Sequence, residues 1–135
     1  MKQVRSGSDL PPAKMLYGEL VKSEQRYRAF IANSTEGIWC FEVEEPIETS
    51  LSPDAQIDLF YSKVYLSECN DALAKMYGLE KAADLIGARL ADFMIRDDEK
   101  NVAYLRSFIE SGYRLTGAES HEVDTNGNDR YFENN

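Results

Sequence analysis

The chain has 135 residues and a mass of 15.4 kDa, with 43% hydrophobic and 11% aromatic residues, which is enough for one domain with a core and not for two. The formal net charge of −9 argues against binding to nucleic acid or to an anionic membrane, because both would repel the chain. The apolar runs are too short for a membrane-spanning helix, and residues 1–14 lack the apolar segment of a signal peptide, so we expect a cytoplasmic domain without membrane contact.

Cysteine and histidine are scarce. Cys40 and Cys69 have no CxxC spacing, so the sequence predicts two reduced, buried thiols and neither a disulfide framework nor a zinc site. His121 is the single histidine, which excludes most histidine-based nucleophile and di-metal arrangements.

Residues 1–13 are polar and rich in proline, and they are interpreted as a flexible lead-in or an expression remnant. From Lys14 onward, apolar residues recur at spacings of three, four and seven, which predicts an amphipathic helix. The stripe consists of Leu16, Leu20, Tyr27 and Ile31, joined by Val21 and Phe30. Such a stripe either covers its own domain or pairs with a second copy, and it is our candidate dimer interface.

The next segments alternate between strand and helix signals. Ile38–Val43 is β-branched and aromatic on both faces, which predicts a strand covered on both sides. Ser52, Pro53 and Asp54 predict the start of a short helix that ends near Leu59, and Tyr61–Ser67 returns to strand composition.

Three short helices and one longer helix are predicted next. Asn70 and Asp71 are expected to cap the first, which Gly78 ends in the left-handed conformation. Glu80–Ile86 should be the second, ended by Gly87, and Leu90–Met94 is a further apolar stretch. The longer helix begins after the Asp97–Glu99 run and ends at Gly112.

The last two strands are predicted at Glu119–Thr125 and Asp129–Asn134. They flank Asn126-Gly127, which is typical of a two-residue hairpin. Strands at both ends of a helical middle indicate an α+β domain with an antiparallel sheet.

We find little in the sequence that indicates catalysis or metal binding. Strand alternation sends Glu119 and His121 to one face and Glu122 and Asp124 to the other, so at most two of them could share an ion and no metal site is predicted. The Asp97–Glu99 run is interpreted as helix-start charge, not as paired catalytic carboxylates. No Walker loop, GxSxG elbow, dinucleotide fingerprint or kinase catalytic loop occurs, so no catalytic residue is predicted.

In this order and spacing, four segments resemble the PAS domain, a sensory module of bacterial signalling proteins. They are RYRAFIANSTEGIWCFEV (26–43), ECNDALAKMYG (68–78), ADLIGARLADFM (83–94) and GAESHEVDTNGNDRYFENN (117–135). The resemblance implies a five-stranded antiparallel sheet with short helices across one face and a cavity between them that can hold a small ligand. The segment 44–61 is longer than the family's hairpin and is interpreted as a surface insertion.

The resemblance also implies a last, central strand that would follow Asn135. If the family topology holds, Ile38–Val43 and Asp129–Asn134 should each lie beside its place with unpaired backbone groups. We expect these edges to associate with another copy or to take up a terminal segment such as Lys2–Ser6, or the chain to fray after Asn126.

The sequence lacks the residues that bind haem or flavin in members of this family. Haem-binding members take a histidine from the helix that here covers Asp98–Ser111, which has none, and flavin-binding members use an Asn-Cys-Arg motif that neither cysteine matches. The resemblance therefore predicts neither haem nor flavin, and leaves an unidentified small ligand. The candidate ligand-binding residues are the aromatic residues Trp39, Phe41, Tyr65, Tyr77 and Phe93, which could equally form an ordinary core. The sequence leaves open whether Trp39 and Phe41, or Ile38 and Cys40, face the helices.

The implied function is a sensing and dimerisation module, most similar to the input domain of a two-component sensor histidine kinase. Its partners would be a second copy and the effector domain of the same parent chain. Alternatives are a ligand-free protein–protein scaffold, or the input domain of a diguanylate cyclase or transcription regulator.

Overall fold

The computed structural model describes residues 12–135 as an α+β arrangement, as the sequence predicts. In chain order the elements are α1 (Ala13–Asn33), β1 (Trp39–Val43), α2 (Pro53–Lys63), β2 (Val64–Cys69), α3 (Asp71–Met76), α4 (Leu90–Phe93), α5 (Glu99–Glu110), β3 (Ala118–Val123) and β4 (Asp129–Asn134). A short 3-10 helix at Ala82–Asp84 lies between α3 and α4. The segment Lys2–Ser6, expected above as a possible edge partner, lies outside the described residues.

The described residues divide into two compact units, residues 12–33 and residues 34–135. The described part of the first unit is essentially α1, which ends at Asn33 where the apolar pattern breaks. None of its residues is buried, and Arg28 forms a salt bridge of 2.8 Å with Glu24 one turn earlier. Such an exposed ion pair contributes little to stability. The stability of α1 therefore depends on a surface that covers its apolar stripe.

The second unit contains two antiparallel pairs of strands, β1 with β2 and β3 with β4. Among residues 12–135, β1 and β4 therefore each have a single hydrogen-bonded neighbour strand. The β3–β4 ladder runs from Ala118–Asn134 to Val123–Asp129 without interruption, so no fraying follows Asn126.

The register fixes which backbone groups of β1 point away from β2. At the two ends of this ladder, the Asn70 N–H donates to the Ile38 carbonyl (3.1 Å) and the Glu44 N–H donates to the Lys63 carbonyl (3.0 Å). In an antiparallel ladder, residue pairs that exchange backbone hydrogen bonds alternate with pairs whose N–H and C=O groups point away from the neighbouring strand. With the irregularity between Cys40 and Phe41, this places the outward N–H and C=O groups on Trp39, Phe41 and Val43.

The same reasoning applies to β4. The Asp124 N–H donates to the Asn128 carbonyl (3.0 Å), and the His121 N–H donates to the Asn101 side chain (3.3 Å) instead of to β4. By alternation, the outward groups of β4 are those of Asp129, Tyr131 and Glu133. Both pairs of strands thus end in an open edge.

The core of the second unit lies between the strands and the helices. The side chains that form it come from every helix of the unit and from β2, and include Ile57, Leu66, Leu73, Leu85, Leu90, Phe93, Leu105 and Ile109. Helix α2 packs against α5 and α4, which positions the helical layer.

Asn70 joins β2 to α3, as the sequence predicts. Its Oδ1 atom accepts from the N–H groups of Leu73 and Ile38, each at 3.0 Å, and its Nδ2 atom donates to the Glu36 carbonyl at 2.8 Å. Gly78 has φ of 84°, the left-handed conformation expected of a residue that ends a helix.

Three predicted boundaries are wrong. Helix α2 continues to Lys63, because Phe60 is buried on the same helical face as Ile57, and β2 begins only at Val64. The predicted helix Glu80–Ile86 is reduced to a 3-10 turn at Ala82–Asp84. The hairpin loop is longer than two residues: Val123 pairs with Asp129, and the buried Asp124 carboxylate accepts from the N–H groups of Asn126 and Asn128, both at 2.9 Å.

Candidate functional site

A cavity of about 310 Å³, partly open to solvent, lies between the strands and the helices of the second unit. All four strands contribute to its wall, as do helices α2, α4 and α5 and the end of α3. Apolar side chains make up most of the surface, among them Phe60, Val64, Leu90, Met94, Leu105 and Phe108. The volume is at the lower end of the range for small-molecule pockets, so it suits a compact, mainly hydrophobic ligand.

Trp39 and Phe41 of β1 face this cavity together with Tyr77 and Phe93. The ring centroids of Trp39 and Phe41 are 5.3 Å apart, those of Phe41 and Phe93 5.8 Å, and those of Tyr77 and Phe93 4.9 Å, with tilted or edge-on geometry. Trp39 and Phe41, and not Ile38 and Cys40, are therefore on the inward face of β1. Trp39 keeps 42% of its surface exposed and therefore lies at the rim.

Tyr65, the fifth aromatic candidate, is not part of this wall. Val64 and Leu66 are buried, so strand alternation turns Tyr65 to the opposite face of β2. Its hydroxyl donates to the Glu42 carboxylate at 2.9 Å, and the Arg89 guanidinium lies 5.9 Å from its ring centroid.

The cavity has one polar region, centred on Glu122 of β3. The Glu122 side chain accepts hydrogen bonds from the Tyr77 hydroxyl and from the Ser120 hydroxyl, the latter at 2.6 Å. Burial raises the pKa of Glu122, and it also raises the pKa of Tyr77, which the Glu122 charge raises further. Tyr104 of α5 lies within electrostatic range, and its pKa is raised by burial and by Glu122.

Sequence reasoning missed Glu122, Tyr104 and Asn134 as cavity residues. A signal for Glu122 did exist, because Ser120, Glu122 and Asp124 alternate with Glu119 and His121 along one strand. Ser120, Glu122 and Asp124 are all buried. Because small and acidic residues are usually exposed, their alternation alone does not predict this burial.

His121 lies on the other face of β3, between two carboxylates. Its Nδ1 atom is 2.5 Å from Asp98 Oδ2 and its Nε2 atom 2.9 Å from Asp129 Oδ1, while its ring stacks on Tyr131 at 4.7 Å. Hydrogen bonds to Asp129 and Asp98 raise the pKa of His121, and the bond to His121 lowers the pKa of Asp98. Asp98 also caps α5 by accepting from the Lys100 N–H at 2.8 Å, as expected of helix-start charge, so this cluster connects α5 to the hairpin.

Asp124 is the anchor of the hairpin loop. Its side chain is 1% exposed and forms a salt bridge of 2.9 Å with Arg130. Hydrogen bonds from Asn128, and then from Arg130 and the Asn126 backbone, lower the pKa of Asp124 to about 2. The Asp124 carboxylate is therefore the ion-pair partner of Arg130, and Arg130 is the cross-strand neighbour of Glu122.

The prediction that both cysteines are buried is wrong. Cys40 is exposed, because its neighbours Trp39 and Phe41 occupy the inward face of β1, and Cys69 is half-buried. Both are free thiols.

The candidate interface residues of α1 are largely accessible. Leu16, Leu20 and Tyr27 are 50%, 64% and 57% exposed, and Ile31 is half-buried. Phe30, on the same side of the helix, is 76% exposed. The stripe therefore presents a continuous apolar surface of the kind that marks interaction sites.

Within residues 12–135, no three histidine, cysteine, aspartate or glutamate side chains are grouped so that they could hold a metal ion. In the same range, no helix is long and apolar enough to cross a bilayer. No protein-family model matches the chain, and no curated protein matches it significantly.

Proposed function

We propose that the chain is a PAS-type sensory and dimerisation module that binds a small ligand in the cavity between its strands and helices. The observation that carries the proposal is the cavity itself, an apolar space of about 310 Å³ with a single polar region around Glu122. A concave space of this size, lined mostly by apolar and aromatic side chains with a few polar groups, is typical of a small-molecule site.

The order of elements supports the PAS assignment. One pair of strands precedes the helical middle and one pair follows it, and the open edges of β1 and β4 are those beside which a further central strand would pair. The cavity wall takes residues from both pairs, including Trp39 and Val43 of β1 and Asn134 of β4. Ligand binding there would change how the two pairs and the helices pack, which is a means of transmitting a signal.

Helix α1 supports the dimerisation part. Leu16, Leu20, Tyr27 and Phe30 follow the spacing of a coiled-coil seam, and their exposure leaves that seam available to a second copy. We propose that the sensory unit passes the change to an effector domain of the parent protein, a two-component sensor histidine kinase. The alternative parent proteins are a diguanylate cyclase and a transcription regulator.

The proposal is tested by native mass spectrometry of protein purified from cells. We expect a reproducible bound small molecule, which the variant Val43→Phe should reduce, since Val43 lines the cavity and is exposed enough to accept a larger side chain. Val123→Phe, on the outer face of β3, is the matched control and should retain the molecule. Wild-type protein without any bound molecule would favour the ligand-free scaffold.

A further inference from the structure

The carboxyl group of Glu122 is buried in the cavity wall, and no residue in 12–135 supplies it with a positive partner. Glu122 is 8% exposed and lines the cavity. Its hydrogen-bond donors, the hydroxyls of Tyr77 and Ser120, are neutral. Buried carboxylates are normally paired with a cation, because burial in an apolar environment penalises an isolated charge.

The cation nearest to Glu122 in the β3–β4 ladder binds another carboxylate. Arg130 is opposite Glu122 across the β3–β4 ladder, yet its guanidinium donates to Asp124 at 2.9 Å and 3.2 Å. Among residues 12–135, no lysine or arginine forms a salt bridge with Glu122. The titratable groups that face it from the helices are the phenols of Tyr77, Tyr104 and, from α2, Tyr61, which supply no positive charge.

The remainder of the wall accepts an apolar body. Phe41, Phe93 and Leu105 form a hydrophobic surface next to the carboxyl group, and the cavity volume of about 310 Å³ is sufficient for an aromatic ring with a short alkyl chain. An anionic ligand would place a second negative charge beside Glu122, and a neutral ligand would leave the carboxylate without a countercharge.

We propose that the ligand of this cavity is a hydrophobic amine, whose ammonium group pairs with Glu122 while its apolar part packs against the aromatic wall. An ammonium group carries three N–H donors, and each carboxylate oxygen of Glu122 can accept a further bond beside the one it already receives. This inference rests on the proposed ligand-binding function and specifies the chemistry of the ligand.

The test compares three probes of similar size: phenylbutylamine, phenylbutanol and phenylbutyrate. Trp39 is the single tryptophan and lies at the cavity rim, so its fluorescence reports binding. We expect the amine to bind at least tenfold more tightly than the alcohol, about 1.4 kcal/mol by the relation between affinity and free energy, and the carboxylate probe to bind most weakly.

Glu122→Gln keeps the shape of the side chain and removes its charge, so it should abolish the preference for the amine over the alcohol. Glu119→Gln makes the same charge change at an exposed position of the same strand and should leave the preference unchanged. This control separates a local ion pair from the effect of the overall charge of −9.

A second measurement does not require a variant. Since burial raises the pKa of Glu122, lowering the pH through that value neutralises the carboxylate, and the affinity for the amine should fall while that for the alcohol stays constant. Equal affinity of the wild type for amine and alcohol would overturn the inference and leave the proposed function intact. Binding of none of the three probes would also overturn it, and the proposed function would then be judged separately, from the molecule that co-purifies.

Discussion

The Nδ1 atom of His121 lies 2.5 Å from the Oδ2 atom of Asp98, so a strand residue of the hairpin is joined to the N-terminal cap of α5. On its other side the same imidazole faces Asp129 at 2.9 Å. A protonated imidazole can donate to both carboxylates, whereas a neutral one can donate to only one. The contact between α5 and the hairpin is therefore strongest when His121 is charged.

This arrangement predicts a loss of stability at alkaline pH. The pKa of His121 is higher in the folded chain than its usual 6.5, so its contribution is complete below that value and is lost as the pH rises through the folded-state pKa. Urea denaturation from about pH 6 to about pH 9 should show the free energy of unfolding falling across this range. His121→Gln should remove this dependence; an equally steep profile in that variant would mean that another group titrates.

Asp124 predicts the opposite dependence on the acid side. Its folded-state pKa of about 2 is below the usual 3.8, so it stabilises the fold above the usual value and this contribution is lost as the pH falls through about 2. Asp124→Asn should be less stable than wild type at neutral pH, and the difference should shrink on acidification. Circular dichroism of both proteins along an acid titration measures this, and a constant difference would contradict it.

Asn70→Ala should be among the most destabilising single changes outside the apolar core. It removes the acceptor of two N–H groups and a donor to the Glu36 carbonyl at a residue that is 3% exposed. We expect a loss of about 3 kcal/mol in the free energy of unfolding, because buried groups are left without hydrogen bonds. Asn126→Ala, at an exposed loop position, should cost less than about 0.5 kcal/mol, and similar losses in both variants would contradict this role of Asn70.

Signals within a short stretch of sequence predict the ends of helix α3, but not the length of α2 or the inward face of β1. The role of Asn70 and the left-handed Gly78 follow from side-chain and backbone preferences of single residues, so the sequence predicts them. The extent of α2 does not follow in this way, because Phe60 and Tyr61 suit a buried helix end as well as a strand. The inward face of β1 and the burial of Glu122 depend on contacts between segments far apart in the chain, which periodicity alone cannot assign.

The stripe of α1 predicts dimerisation. Leu16→Asp combined with Leu20→Asp introduces charge into the apolar seam and should convert a dimer into a monomer in light scattering. Gly18→Asp with Gln25→Asp adds the same charge on the opposite side of the helix and should leave the dimer intact. If the first pair of substitutions keeps the wild-type mass, the stripe is not the interface.

The open edges of β1 and β4 predict a pattern of amide hydrogen exchange. The outward N–H groups of Trp39, Phe41, Tyr131 and Glu133 should exchange fast, and those of their neighbours in the ladders slowly. Uniform protection along β4 would show that another strand already pairs with it.

If the edges also mediate association, Glu133→Pro should reduce it without disturbing β3, because it removes only an outward donor. Phe132→Pro is the control, since its N–H faces β3 and its loss should unfold the hairpin.

NMR spectroscopy can show whether a small molecule occupies the cavity, because the single tryptophan, Trp39, lies at its rim. The spectrum of protein purified from cells is compared with that of the same protein after unfolding, removal of small molecules and refolding. We expect the signals of Trp39 and of cavity residues such as Leu105 to shift, and those of α1 residues such as Lys14 to stay unchanged. Identical spectra before and after removal would contradict the proposal that a small molecule occupies the cavity.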